Sequence, residues 1–120
     1  MVFSFASISD TGTLEPWDFE EDVKNGQYSE FLAVKDKYPD AKFMIAVGGW
    51  THNDPDNERL YRFSNSAATT KSRAKFAQSS VAFMRKYGFD GYVYCVLASC
   101  TKSCWINSLG VVFSSFLSIS

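Results

Sequence analysis

The chain has 120 residues, of which 46% are hydrophobic, 17% aromatic and 21% charged, and its formal net charge is -1. This is the balance of one small globular domain, not of a disordered or fibrous chain, and it offers no cationic stripe to nucleic acid or to an anionic membrane surface. No apolar run approaches the roughly 20 residues that span a bilayer; the nearest, Leu109 to Ile119, is short and broken by serines.

Val2 to Ile8 reads as a buried strand and lacks the basic leader and long apolar centre of a secretion signal. Asp10-Thr11-Gly12-Thr13 is a turn, and Glu15 to Asp22 is an acidic, solvated loop around Trp17 and Phe19. Asn25 is placed to cap a helix over 27–38, in which Tyr28, Phe31, Leu32 and Val34 share one face and which Pro39 stops. Phe43 to Val47 is a continuous apolar run ended by Gly48-Gly49, the pattern of a parallel strand covered on both faces. Thr51 to Leu60 is a polar loop whose His52 reads as solvated. The spacing then predicts a helix over 70–87 that buries Phe76, Ala77, Val81, Phe83 and Met84, with Gly88 as its C-terminal cap. A third strand follows from Phe89 to about Val96. Strand, helix, strand, helix, strand is an α/β order with parallel strands and right-handed crossovers.

Beyond Gly91 the composition changes abruptly. From Tyr92 onward the only charged residue is Lys102, among seven serines and many apolar residues. Cys95, Cys100 and Cys104 all lie there, at spacings that fit neither a zinc ribbon nor a C-x-x-C redox pair. With one histidine in the chain, a metal site is not expected. No Gly-rich phosphate loop and no G-x-S-x-G nucleophile elbow occurs.

Four pieces, in order, carry a family resemblance. Phe3-Ser4-Phe5-Ala6 is similar to a "Y-x-F-A" strand with Phe for Tyr. Ala46-Val47-Gly48-Gly49-Trp50 is similar to "S-x-G-G-W" with Ala for Ser. Phe63-Ser64, Arg73 and Phe76 match the helix that follows, and Tyr87-Gly88-Phe89-Asp90-Gly91 matches the start of a "D-G-x-D-x-D-x-E" strand. Together they resemble glycoside hydrolase family 18, the chitinases and chitinase-like proteins. The likeness covers residues 1–91, leaving 92–120 as a divergent tail.

The resemblance implies part of a (β/α)8 barrel, a fold of about 250 residues, with this chain supplying strands two, three and four. It implies chitin or chito-oligosaccharide as partner, no cofactor, and an extracellular setting. In that family the Glu protonates the leaving glycosidic oxygen while the substrate's N-acetyl oxygen attacks the anomeric carbon. Alternation along the strand points these carboxylates the same way. Here Asp90 keeps the first acidic position, while Val93, Cys95 and Leu97 replace the next three. Hydrolysis is therefore not expected. Trp50, Phe3, Gly48 and Gly49 are the substrate-binding candidates. In the family Trp50 lines the sugar cleft, with partial burial beside a strand end as its other reading. Phe3 lines the cleft floor or equally packs in the core, and Gly48-Gly49 give tight packing at the strand end. Open sheet edges in a partial barrel also favour self-association.

The pattern runs unbroken to Gly91 and collapses within two residues, which point mutation would not produce together with a change of composition. A retained intron or a frameshift would do both. Valine codons begin with GT, the usual intron donor dinucleotide, which makes Val93 the first residue to suspect. Genomic DNA is expected to hold a donor site near codon 92 or 93 and, beyond an acceptor, an exon encoding the acidic strand. Long-read transcripts check this; if none joins Gly91 or Tyr92 to an acidic strand and no such exon exists, the account is wrong.

Overall fold

The computed structural model describes residues 1–49, 51–54 and 56–95, with the backbone alone at 53, 94 and 95. Four strands form one sheet: β1 (Val2–Ile8), β2 (Leu14–Pro16), β3 (Met44–Gly48) and β4 (Gly91–Cys95), in the order β2-β1-β3-β4. β1, β3 and β4 run parallel, and β2 returns antiparallel along β1. The connecting helices are α1 (Gln27–Leu32), α2 (Arg62–Ala67) and α3 (Thr70–Tyr87). The expected α/β order and the parallel pairing are both observed.

Register decides which residues share a face. Phe3, Ile45 and Tyr92 stand in one row; Ile45 belongs to the core cluster beneath the helices, and Phe3 and Tyr92, partly buried, pack against it. The next row, Ser4, Ala46 and Val93, points to the opposite face, as do Val2, Met44 and Gly91. On that second face Val2 is 51% exposed, whereas Ala46 and Ser7 are buried at 6% and 0%. Phe5 is an extra residue in the ladder: Ser4 pairs with Ala46 and Ala6 with Val47, leaving Phe5 unmatched as a β-bulge.

Aromatic rings fill the helix side. Tyr28 of α1 meets Phe3, Tyr87 and Phe89 edge-on, with centroids 5.1, 5.2 and 5.1 Å away. Phe31 packs on Phe43 at 5.4 Å. Such pairs contribute about 0.5–1.5 kcal/mol beyond the area they bury. α3 is closed at both ends. The Thr69 hydroxyl accepts the Ser72 N–H at 3.0 Å while the Ser72 hydroxyl accepts the Thr69 N–H at 3.0 Å, a reciprocal cap. At the far end Gly88, with φ of 92°, donates its N–H to the Met84 carbonyl at 2.8 Å.

Several expectations differ from the structure. Asn25 does not cap α1; its N–H closes the preceding π-helical turn (Glu20–Lys24) on the Glu20 carbonyl, and Gly26, with φ of 85°, takes the cap position. The helix expected over 27–38 tightens after Leu32 into a 3-10 turn, Ala33–Lys37. The acidic stretch is not wholly a solvated loop. Leu14 is buried in β2, and Asp22 is 6% exposed with its carboxylate accepting the Asp18 N–H. Burial pushes the Asp22 carboxyl above its ordinary value, against the backbone donors that favour its charge. Ala77 is exposed on α3 and Val81 half-buried. The expected helix over 70–87 is preceded by a separate short helix, α2, which holds Phe63-Ser64; apart from Phe63 its first residues are polar and show no apolar period.

β4 opens at Gly91, not at Phe89, because the two residues before it are otherwise engaged. Phe89 is core, and its N–H bonds the Met84 carbonyl. Asp90 clamps β3 to β4: its N–H donates to the Phe43 carbonyl, its Oδ2 accepts the Phe43 N–H, and its Oδ1 accepts from Lys35 Nζ, each at 2.8 Å. Partial burial works to raise the Asp90 carboxyl, but the Lys35 hydrogen bond, the Phe43 amide and the charges of Lys35 and Lys42 outweigh it and hold it below the usual carboxylate value. A depressed carboxyl stabilises the fold above its unfolded pKa and loses that contribution as pH falls through the folded one. Asp90→Ala should cost about 1.5 kcal/mol, the low end for bonds to a charged group because the site is partly exposed. Asp90→Asn, which keeps an acceptor for Phe43, should cost less and should flatten the acid limb. Urea midpoints against pH measure both.

Candidate functional site

Parallel α/β sheets place their chemistry beyond the carboxyl ends of the strands, where loops are free to differ. In this chain those ends are Ile8, Gly48 and Cys95. β3 runs out into two buried glycines with φ of 101° at Gly48 and 99° at Gly49, a backbone that side chains rarely tolerate. A Cβ on Gly49 would lie 3.2 Å from Cζ of Phe5. The glycine pair therefore lets the β3 end pass under the ring of the bulged Phe5, which stays 36% exposed. Phe5 was not singled out from the sequence. The bulge that frees it arises between β1 and β3, so no local pattern announces it.

The other expected residues fall in different places. Phe3 packs on the helix side against Tyr28 and, at 5.5 Å, Phe31, so of its two readings the structure gives core packing. Asp90 precedes β4 and so sits at the amino end of the parallel strands, opposite Gly48. With both oxygens engaged, it is a structural clamp in this fold. Val93 stands beside Ala46 on the face opposite Phe3 and Ile45, and the Cys95 backbone pairs with Gly48. Trp50 and Leu97 lie outside the described residues, as do Cys100 and Cys104. Val93 offers no proton and no charge, so the first of the three replaced positions is chemically inert.

His52 is not solvated: its relative exposure is 0%. The 3-10 turn Thr51–Asn53 folds back so that Nε2 of His52 accepts the Ile8 N–H at 3.3 Å. Phe63 of α2 lies 4.9 Å from the imidazole and Trp17 6.2 Å, and the Arg59 guanidinium stacks 4.9 Å over Trp17. Burial, then the charges of Arg59 and Arg62, push the imidazole down to about 4, so it is neutral at pH 7. The partners of His52 come from three distant segments, which is why a polar loop gave no sign of them. Among the described residues no three His, Cys, Asp or Glu side chains converge on a metal position, and no helix is long and apolar enough to cross a membrane.

Comparison with known proteins gives this geometry a lineage. The family model described as Glycosyl hydrolases family 18 matches residues 1–92. The probable chitinase 2 of Drosophila melanogaster is 32% identical over 96 residues, covering 76% of this chain and 19% of that protein. The endochitinase of Manduca sexta is 33% identical over 93 residues, covering 76% of this chain and 16% of that one. The chain thus spans under a fifth of the length of these curated relatives. Among solved structures, the Ostrinia furnacalis Group IV chitinase superposes with a TM-score of 0.68 at 34% identity, over 78% of this chain and 24% of that one. The same enzyme in complex with allosamidin gives 0.67. The sheet with its crossover helices is therefore a partial barrel of the chitinase type, and the chain belongs to family 18 of the glycosyl hydrolases.

Proposed function

We propose that this chain is a non-hydrolysing member of its family that recognises chito-oligosaccharide weakly. The parent activity is hydrolysis of β-1,4-linked N-acetylglucosamine, and the setting inferred from the lineage is extracellular. One observation carries the reading: the position paired with Ala46, where the family motif has an acid, is Val93, and the motif continues into Cys95 and Leu97. General acid–base catalysis contributes about 10²–10⁴-fold and charge stabilisation more. Without those groups, no useful turnover is left.

Recognition rests on the strand ends that remain. The Gly48-Gly49 exit with the half-open Phe5 ring offers an apolar plate, and Trp50 follows directly in sequence. Aromatic faces of this kind suit stacking on a pyranose ring. The similar Group IV chitinase was solved in complex with allosamidin and a Group II chitinase domain with a chito-oligosaccharide, which supports a ligand of that class. The open sheet edge at β4 among the described residues favours association between copies.

A fluorogenic chitobioside assay should show no hydrolysis above background. Tryptophan emission should shift with millimolar chito-oligosaccharide, and Trp50→Ala should abolish the shift. Unchanged emission refutes the binding reading. Sedimentation velocity at rising concentration should show species larger than the monomer; a monomer throughout removes self-association.

A further inference from the structure

His52 is built into the fold in a way that the sugar-cleaving chemistry does not use. It is the only histidine of the chain, fully buried, and tied by one hydrogen bond to the carboxyl end of β1. Because Nε2 accepts the Ile8 N–H, the ring proton of the neutral form sits on Nδ1, and that atom is buried with no hydrogen-bond partner. The imidazole is walled by Phe63 and Trp17. The charged groups around it come from two further elements. Arg59 stands over Trp17, with its Nε buried and unpartnered. Arg62 of α2 donates to the Ile8 carbonyl at 2.7 Å and reaches Glu15 at 3.5 Å and Glu58 at 3.9 Å. Glu58 also lies 3.8 Å from Arg59.

We propose that His52 is an acid-released latch that holds the turn Thr51–Asn53 against the end of β1 when neutral and lets it go when protonated. Protonation takes away the lone pair that accepts the Ile8 N–H, so two donors then face each other. It also sets a third cation beside Arg59 and Arg62 in a pocket already walled by rings, with no carboxylate in contact with the imidazole among the described residues. The released imidazole regains water and its ordinary basicity near 6.5. Opening therefore grows more favourable by up to roughly tenfold for each pH unit between about 6.5 and the lower value of the docked ring. Above that window the latch is closed. What it releases is the turn Thr51–Asn53, so that turn and the carboxyl end of β1 part company in acid.

The single histidine makes the test direct. Proton NMR of the full chain follows the imidazole C2–H from pH 7.5 to 4, and hydrogen exchange, corrected for intrinsic rates, follows the amides of 6–9 and 51–53. The expected result is an imidazole that titrates well below 6.5 and faster exchange of both segments over the same interval. His52→Gln keeps an acceptor for Ile8, cannot be protonated, and leaves Glu15, Glu58, Asp22 and Asp90 in place; its exchange should stay flat there. Titration near 6.5 with unchanged exchange overturns the proposal, and so does an equal acid response in His52→Gln. Should that variant fail to fold, the wild-type titration decides alone.

Discussion

The ring of Tyr28 is the point where both crossover connections are fastened to the sheet. It touches Phe3 from β1, Phe83 and Tyr87 from α3, and Phe89 at the approach to β4. A parallel strand pair cannot close by a hairpin, so each crossover must return across a sheet face and find something to hold. Here one aromatic side chain is held in common by both returns. The cost is a hydroxyl buried beside Asp22, whose own carboxyl is pushed up by burial. Burial, then the Asp22 and Tyr87 groups, also raise the Tyr28 phenol far above its ordinary value, so it stays neutral and the ring packs as an apolar body.

Putting all three helices on one side leaves the sheet asymmetric. Phe43, Ile45 and Val47 are fully buried, whereas the other face is open at Val2 and Ser4 and closed at Ala46 and Ser7. In a closed barrel the inward face is filled by layers of side chains from strands on every side. The described residues contribute three parallel strands to such a layer, and Ala46 and Val93 are its contribution at mid-height. The fate of the motif after Gly91 is thus a matter of packing as well as of chemistry. A carboxylate beside Ala46 would need hydrogen-bonding partners from strands across the barrel, while a valine asks for apolar cover.

How much of this could be read from sequence depended on distance along the chain. Strands β1 and β3, helix α3 and the Gly88 cap were legible because each is announced within its own few residues, by an apolar run, a 3.6-residue period or a glycine at a stop. The clamp role of Asp90 was only half legible. The Asp-Gly pair signals a strand start, but its partners, Phe43 and Lys35, lie 47 and 55 residues away. His52 was misread for the same reason, since its acceptor role depends on Ile8, 44 residues back. α2 and β2 are short, α2 is mostly polar, and tertiary contacts such as the Leu14 N–H on the Ser79 hydroxyl settle β2 where propensity does not.

The bulge at Phe5 has a further meaning for how this strand tolerates change. Before it the odd-numbered Phe3 faces the core; after it the even-numbered Ala6 and Ile8 do. Removing residue 5 altogether would restore strict alternation with every core side chain still facing inward. Inserting or deleting one residue anywhere between Ala6 and Ile8 would instead turn part of the strand inside out. For the core, the length of β1 is therefore negotiable at one position and fixed at its neighbours, so a gap in an alignment of homologous strands is best tolerated at that ring.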